Sequence, residues 1–233
     1  VKPAVRLLIF ALALVAALGV SGASSYWKSV LQVSVGGGVV LTLDGTPATN
    51  NASSGTSITT TLTTTKTNDV IICAILINGT TVTGVTDVAG LTWTKHAETT
   101  PSKLYIWYAV STGILSGDVI TFNFLSATTF TTTSCWGING ANTASPFDPN
   151  ASIPTVAASG TVSISTTNAD TFIISAYRCA NSTPTAGAGF TALTGANFLL
   201  TQYQIVTSAQ SSLALPVTGC TTNTGGIGDA VTK

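Results

Sequence analysis

Few residues in this chain could do chemistry. Four cysteines stand at positions 73, 135, 179 and 220, a single histidine stands at 96, and only eight acidic residues are spread over 233 positions. An even cysteine count suits two disulfides in an oxidising compartment, with three pairings open. Zinc ligation is the weaker reading, because there is no Cys-x-x-Cys and no second histidine. His96 has Asp87 and Glu98 near it in sequence, which are ingredients of a Ser-His-Asp site, yet no Gly-x-Ser-x-Gly elbow presents a nucleophile. It follows Leu91-Thr-Trp-Thr-Lys95, where strand alternation puts it at an exposed strand end. Asp87 and Glu98 alone do not make a glycosidase or calcium site. Asp69 and Asp170 open similar strands and Asp118 follows Gly117, positions at which Asp fixes turns. No enzymatic activity, metal or cofactor is expected.

Asn51-Ala-Ser, Asn78-Gly-Thr, Asn150-Ala-Ser and Asn181-Ser-Thr have the form of N-glycosylation acceptors, and all four are expected in loops. Attached glycans would supply hydration that charge does not. Charged residues are 7% of the chain and the net charge is zero, so the polar content rests on 23 serines and 43 threonines. That balance leaves no electrostatic source for nucleic-acid binding. The 45% hydrophobic content excludes charge-driven disorder. Thr56–Thr67 holds eight threonines in twelve residues and reads as a Thr-rich edge strand rather than an O-glycosylated tract.

The elements that must position these residues fall into two parts, 1–35 and 39–233. Lys2 and Arg6 precede an uncharged run of 21 residues, Leu7–Trp27, long enough to span a bilayer as a helix. The expectation is one apolar helix over Arg6–Gln32, with Leu7, Phe10, Ala13, Leu14, Ala17 and Leu18 available for helix–helix contact. The same stretch also fits a signal peptide over 1–23, ending in Ser21-Gly22-Ala23, or an uncleaved anchor. The start at Val1 and the absence of Met suggest a processed or trimmed N-terminus. Gly36-Gly37-Gly38 reads as a hinge. From Val39 onward, short β-branched and aromatic runs separated by turn residues indicate an all-β sandwich. Val70–Ile77 is apolar throughout and reads as a central strand covered on both faces. An internal repeat matches Asn68–Ala74 to Ala169–Ala176, Gly90–Trp93 to Gly189–Ala192, and Lys103–Val110 to Leu199–Val206, which suggests two related half-sandwiches.

Gly90-Leu-Thr-Trp-Thr, Ile106-Trp-Tyr-Ala, Gly117-Asp-Val-Ile-Thr and Gly137–Asp148 resemble immunoglobulin-like β-sandwich domains of microbial surface and phage-associated proteins, over about residues 68–205. An apolar helix followed by a Thr/Ser-rich sandwich resembles archaeal type IV pilins. The immunoglobulin likeness favours the pairing Cys73–Cys135, beside Trp136, which leaves Cys179–Cys220. Together these resemblances imply a mainly β fold with a long N-terminal helix and an immunoglobulin-like sandwich. They imply an extracellular filament subunit, polymerising through its helix, that serves adhesion. Its partners would be the membrane before assembly and copies of itself afterwards, with no nucleic acid. The alternative is a secreted or anchored binding module with residues 1–23 as its signal peptide.

Overall fold

The computed structural model describes residues 40–233, except Ser102, Asn181, Thr221 and the side chain of Asn223. The helix expected over residues 6–32, with Leu7, Phe10, Ala13, Leu14, Ala17 and Leu18, lies outside the described residues. The strands in chain order are β1 (Thr42–Ala52), β2 (Gly55–Leu62), β3 (Asp69–Asn78), β4 (Val82–Thr86), β5 (Thr94–Glu98) and β6 (Leu104–Ser111). Next come β7 (Asp118–Thr128), β8 (Phe130–Asn139), β9 (Thr155–Ala157), β10 (Val162–Ile164), β11 (Thr171–Ala180) and β12 (Thr185–Ala186). The last are β13 (Thr191–Ala196), β14 (Leu199–Val206), β15 (Leu213–Leu215), β16 (Val217–Thr218) and β17 (Thr222–Thr232).

The described residues contain no helix, and they form several antiparallel sheets rather than one immunoglobulin-like sandwich. This overturns the expected fold class. One five-stranded sheet has the order β1-β8-β3-β6-β5, and the second has β9-β17-β11-β14-β13. Outside the first lies β2-β7-β4, and beside the second lie the ribbons β10-β15 and β12-β16. The Thr-rich stretch supplies the edge strand β2, with Ile58, Thr60 and Leu62 turned inward.

The two five-stranded orders are the same order, and the ladders fix the match residue by residue. Asp69 pairs with Ser111 where Thr171 pairs with Val206. Val70 pairs with Ile138 where Phe172 pairs with Val231. Small devices are duplicated too. Thr64 N donates to Leu115 O and Leu115 N to Thr64 Oγ1, both at 2.9 Å; Thr166 and Gln210 exchange the same bonds at 3.0 and 2.9 Å. Asp44 accepts from the amides of Thr65 and Lys66 at 2.8 and 2.9 Å, and Asp148 from those of Thr167 and Asn168 at 2.8 Å each. Burial opposes ionisation of Asp44 and Asp148, but the donated bonds outweigh it and hold both below the usual carboxylate range. The repeat therefore consists of two whole sandwiches, not two halves of one.

Alternation in β3 shows how the layers stack. Ile71, Cys73, Ile75 and Ile77 point to a cluster shared with Leu62 and Phe122. Val70, Ile72, Ala74 and Leu76 point the other way, to a cluster shared with Trp136, Phe172, Ile174 and Ala176. In the second sandwich Ile173, Tyr177 and Cys179 meet Val162, Ile164 and Leu215. β3 is thus covered on both faces, and every residue of Val70–Ile77 is buried. Removing each such side chain from water is worth about 1.5–3 kcal/mol. The two large sheets pack on each other, β8 over β14 and, reciprocally, β17 over β6.

β17 carries no strand signature, because Thr222–Thr232 contains Gly225, Gly226 and Gly228. Packing explains two of these glycines. A Cβ at Gly226 would sit 2.8 Å from Tyr177 Cε1, and one at Gly228 would sit 2.5 Å from Leu215 Cδ1.

Candidate functional site

The histidine expected on the surface is turned inward. A register shift between Lys95 and Ala97 breaks the alternation of β5 at His96, and a bulge of this kind re-aims a side chain. Its Nε2 meets Asp229 Oδ2 on β17, 133 residues further along the chain. The imidazole stacks on Phe147 with centroids 3.6 Å apart and planes 10° apart. Tyr108 stands edge-on to both rings, at 5.8 and 5.0 Å. The side chain of His96 is 16% exposed and that of Asp229 is 1% exposed. Burial is the largest influence on the Asp229 carboxyl and raises its pKa, while His96 acts in the opposite direction. A His–Asp pair is two thirds of a nucleophile-activating triad, but among the described residues no hydroxyl or thiol hydrogen-bonds to His96. The pair ties one large sheet to the other, a use for which buried polar pairs are better suited than for net stabilisation. Asp87 and Glu98 are not its partners. Asp87 accepts from Leu91 N at 3.1 Å and from the Trp93 indole, and Glu98 pairs with Lys95 at 3.0 Å.

Two other carboxyls are buried. Asp69 accepts from Asn139 Nδ2 at 2.9 Å through Oδ1, and its Oδ2 has no hydrogen-bond partner. Burial first, and then the neighbouring Asp44, push its pKa up to about 6. Asp118 accepts from Ala89 N at 2.9 Å, and burial followed by the charge of Asp87 raises its pKa. Both acids are expected to fix their own turns; instead Asp69 binds Asn139, and Asp118 binds the amide of Ala89, 29 residues away.

An open cleft of about 660 Å³ lies where loops 89–92, 111–115 and 143–146 meet, with Thr94, Tyr108 and Val110 from β5 and β6. Asp87 and Asp118 hold the first loop from behind through the amides of Leu91 and Ala89. Among the described residues no three potential metal ligands come together.

Cys73 is joined to Cys135 and Cys179 to Cys220, with Cα separations of 4.1 and 5.4 Å. The first links β3 to β8, and the second links β11 to the segment entering β17, so each crosses the same strand pair of its sandwich. Two disulfides belong to an oxidising, extracellular or secreted setting. Of the sequons, Asn51 lies within β1 rather than in a loop, and is exposed. Asn78 ends β3 and donates to Thr129 Oγ1 at 3.2 Å. Asn150 accepts from Ser152 N at 3.0 Å, and Asn181 lies outside the described residues. No protein-family model, curated protein or solved structure matches this chain.

Proposed function

We propose that this chain is a structural subunit of an extracellular filament, resembling archaeal type IV pilins, that assembles through its N-terminal apolar segment. One contrast carries the reading. Leu7–Trp27 has no charge in 21 residues, whereas the unit from Val39 to Lys233 encloses its apolar clusters between its own sheets. The second part needs no apolar partner, and the first cannot remain in water. A membrane before assembly and copies of the same segment afterwards would both cover it. Burying about 20 apolar side chains at roughly 1.5–3 kcal/mol each gives tens of kcal/mol of gross driving force. Repeating one contact head to tail without closure produces a fibre. Catalysis is no part of the proposal, and adhesion through the exposed β unit is its expected use. A secreted or anchored binding module is the second reading, and the cleft at loops 89–92, 111–115 and 143–146 is the observation in its favour.

Electron microscopy of the secreted protein tests the assembly. Filaments are expected from the natural chain, and none from the variant with Ala13→Asp and Ala17→Asp, whose near-ultraviolet circular dichroism should be unchanged. Filaments from that variant, or a natural monomer beginning at Ser24, would refute the reading.

A further inference from the structure

We propose that the cleft between loops 89–92, 111–115 and 143–146 is a binding site for an uncharged oligosaccharide. It lies wholly within the β unit, so the inference does not depend on filament assembly. The first observation is the chemistry of the lining. Among the described residues no Asp, Glu, Lys, Arg or His lines it. A phosphate, sulfate or carboxylate would enter without a counter-charge, and desolvating an unpaired charge is costly. The lining instead sets the hydroxyls of Thr92, Thr94, Thr143 and Tyr108 beside apolar Leu91 and Val110. A sugar ring presents the complementary surface, hydroxyls at its rim and C–H groups on its faces. The volume, about 660 Å³, is in the range of small-ligand sites.

The second observation is that all three loops are pinned by hydrogen bonds, most of them from residues outside the lining. Asp118 and Asp87 accept from the amides of Ala89 and Leu91, at 2.9 and 3.1 Å. Thr64 Oγ1 accepts from Leu115 N at 2.9 Å, and Ser111 Oγ donates to Gly113 O at 2.7 Å. Asn142 Oδ1 accepts from the amides of Ala144 and Ser145 at 3.1 Å each. Loops held this way pay little ordering entropy when a ligand arrives. The third observation is Tyr108. Its ring is fixed edge-on to His96 and Phe147, and among the described residues its hydroxyl makes no hydrogen bond. A rigid ring with an unengaged hydroxyl is a suitable contact for a sugar.

Gly113 offers a plug. It lines the cleft, and a Cβ built on it meets no atom within 4 Å, so Gly113→Arg should fill the space without strain. The test uses the full chain in mild detergent. Saturation-transfer NMR is run with cellotriose, maltotriose and tri-N-acetylchitotriose, and with trigalacturonate and sialyllactose as charged counterparts, each at about 10 mM, a concentration at which even weak binding registers. At least one neutral trisaccharide should bind, and neither charged sugar should bind as tightly. Gly113→Arg should weaken that binding more than tenfold with an unchanged melting temperature. Tyr108→Phe, which keeps the ring, should weaken it about three- to tenfold, the worth of one hydrogen bond. Silence from all three neutral sugars, equal or tighter binding of a charged one, or full affinity in both variants would overturn the proposal.

Discussion

Replacing Asp69 by Asn should flatten the stability of this protein across mildly acidic pH. Asp69 is fully buried, and its native pKa is about 6 against an ordinary value of 3.8. Between those two values the native state holds a proton that the unfolded chain has released. Stability must therefore fall as pH rises through the window. Two pKa units at 1.36 kcal/mol each put the total at about 3 kcal/mol. Asp44 is coupled to Asp69, but its own effect falls at the acid end of the range. Its pKa is lowered, so its contribution is present above 3.8 and is lost only as pH falls. Asp118 and Asp229 are raised in the same sense as Asp69, but they remain in both proteins and cancel in the comparison. The assay is guanidinium unfolding followed by tryptophan fluorescence, with disulfides intact, at about pH 4, 5, 6 and 7. Relative to the Asn variant, the natural chain should lose about 2.4 kcal/mol between the two ends of that range, the rest of the total lying below pH 4. Parallel profiles would show that Asp69 titrates normally, and that the burial argument is wrong.

Asp148→Ala should cost about 2–4 kcal/mol in the same assay. It removes charged acceptors from the amides of Asn150, Thr167 and Asn168, of which the two exposed ones recover part of the loss from water. Asp44→Ala should cost less, because it also removes the like charge beside Asp69; an equal or larger cost would refute that coupling. Replacing either cysteine pair by serine should cost about 4 kcal/mol on chain-entropy grounds, since the bridges span 62 and 41 residues. Calorimetry of each double variant checks this, and a loss below about 1 kcal/mol would show that the denatured chain is already confined.

Strong periodic runs were legible in advance. The apolar run Val70–Ile77 falls inside β3, and the repeated segments Lys103–Val110 and Leu199–Val206 fall on β6 and β14. The favoured cysteine pairing is the one in the structure. The repeat was visible but one residue out of register. Aligning Asp69 with Asp170 follows the letters, whereas the ladders align Asp69 with Thr171. A slip of one exchanges inward for outward positions, and the outer strands β2-β7-β4, β10-β15 and β12-β16, which complete each sandwich, lie outside the matched segments. Three features lacked a local signal. β17 is written in glycines whose reason lies on Tyr177 and Leu215. The His96 bulge has no mark in Thr94–Glu98 itself. No spacing rule connects His96 to Asp229; the nearest clue was an acid set in the otherwise uncharged stretch Gly225–Thr232.

The duplicated sandwiches meet like protomers of a two-fold dimer, yet they are one chain, and that changes what their seam can hold. In a dimer of identical subunits every seam residue occurs twice. Here the ladders make Leu193 the counterpart of His96, each at a bulge, and Trp136 the counterpart of Asp229. One side of the pseudo-symmetric seam therefore carries an imidazole and a carboxylate, and the other carries two apolar side chains of the central cluster. Identical subunits would have to bury that ionisable pair twice or not at all. Fusion allows it to be buried once, with Leu193 and Trp136 at the counterpart positions. The seam thus distinguishes its two ends, and only one way of docking the sandwiches satisfies both.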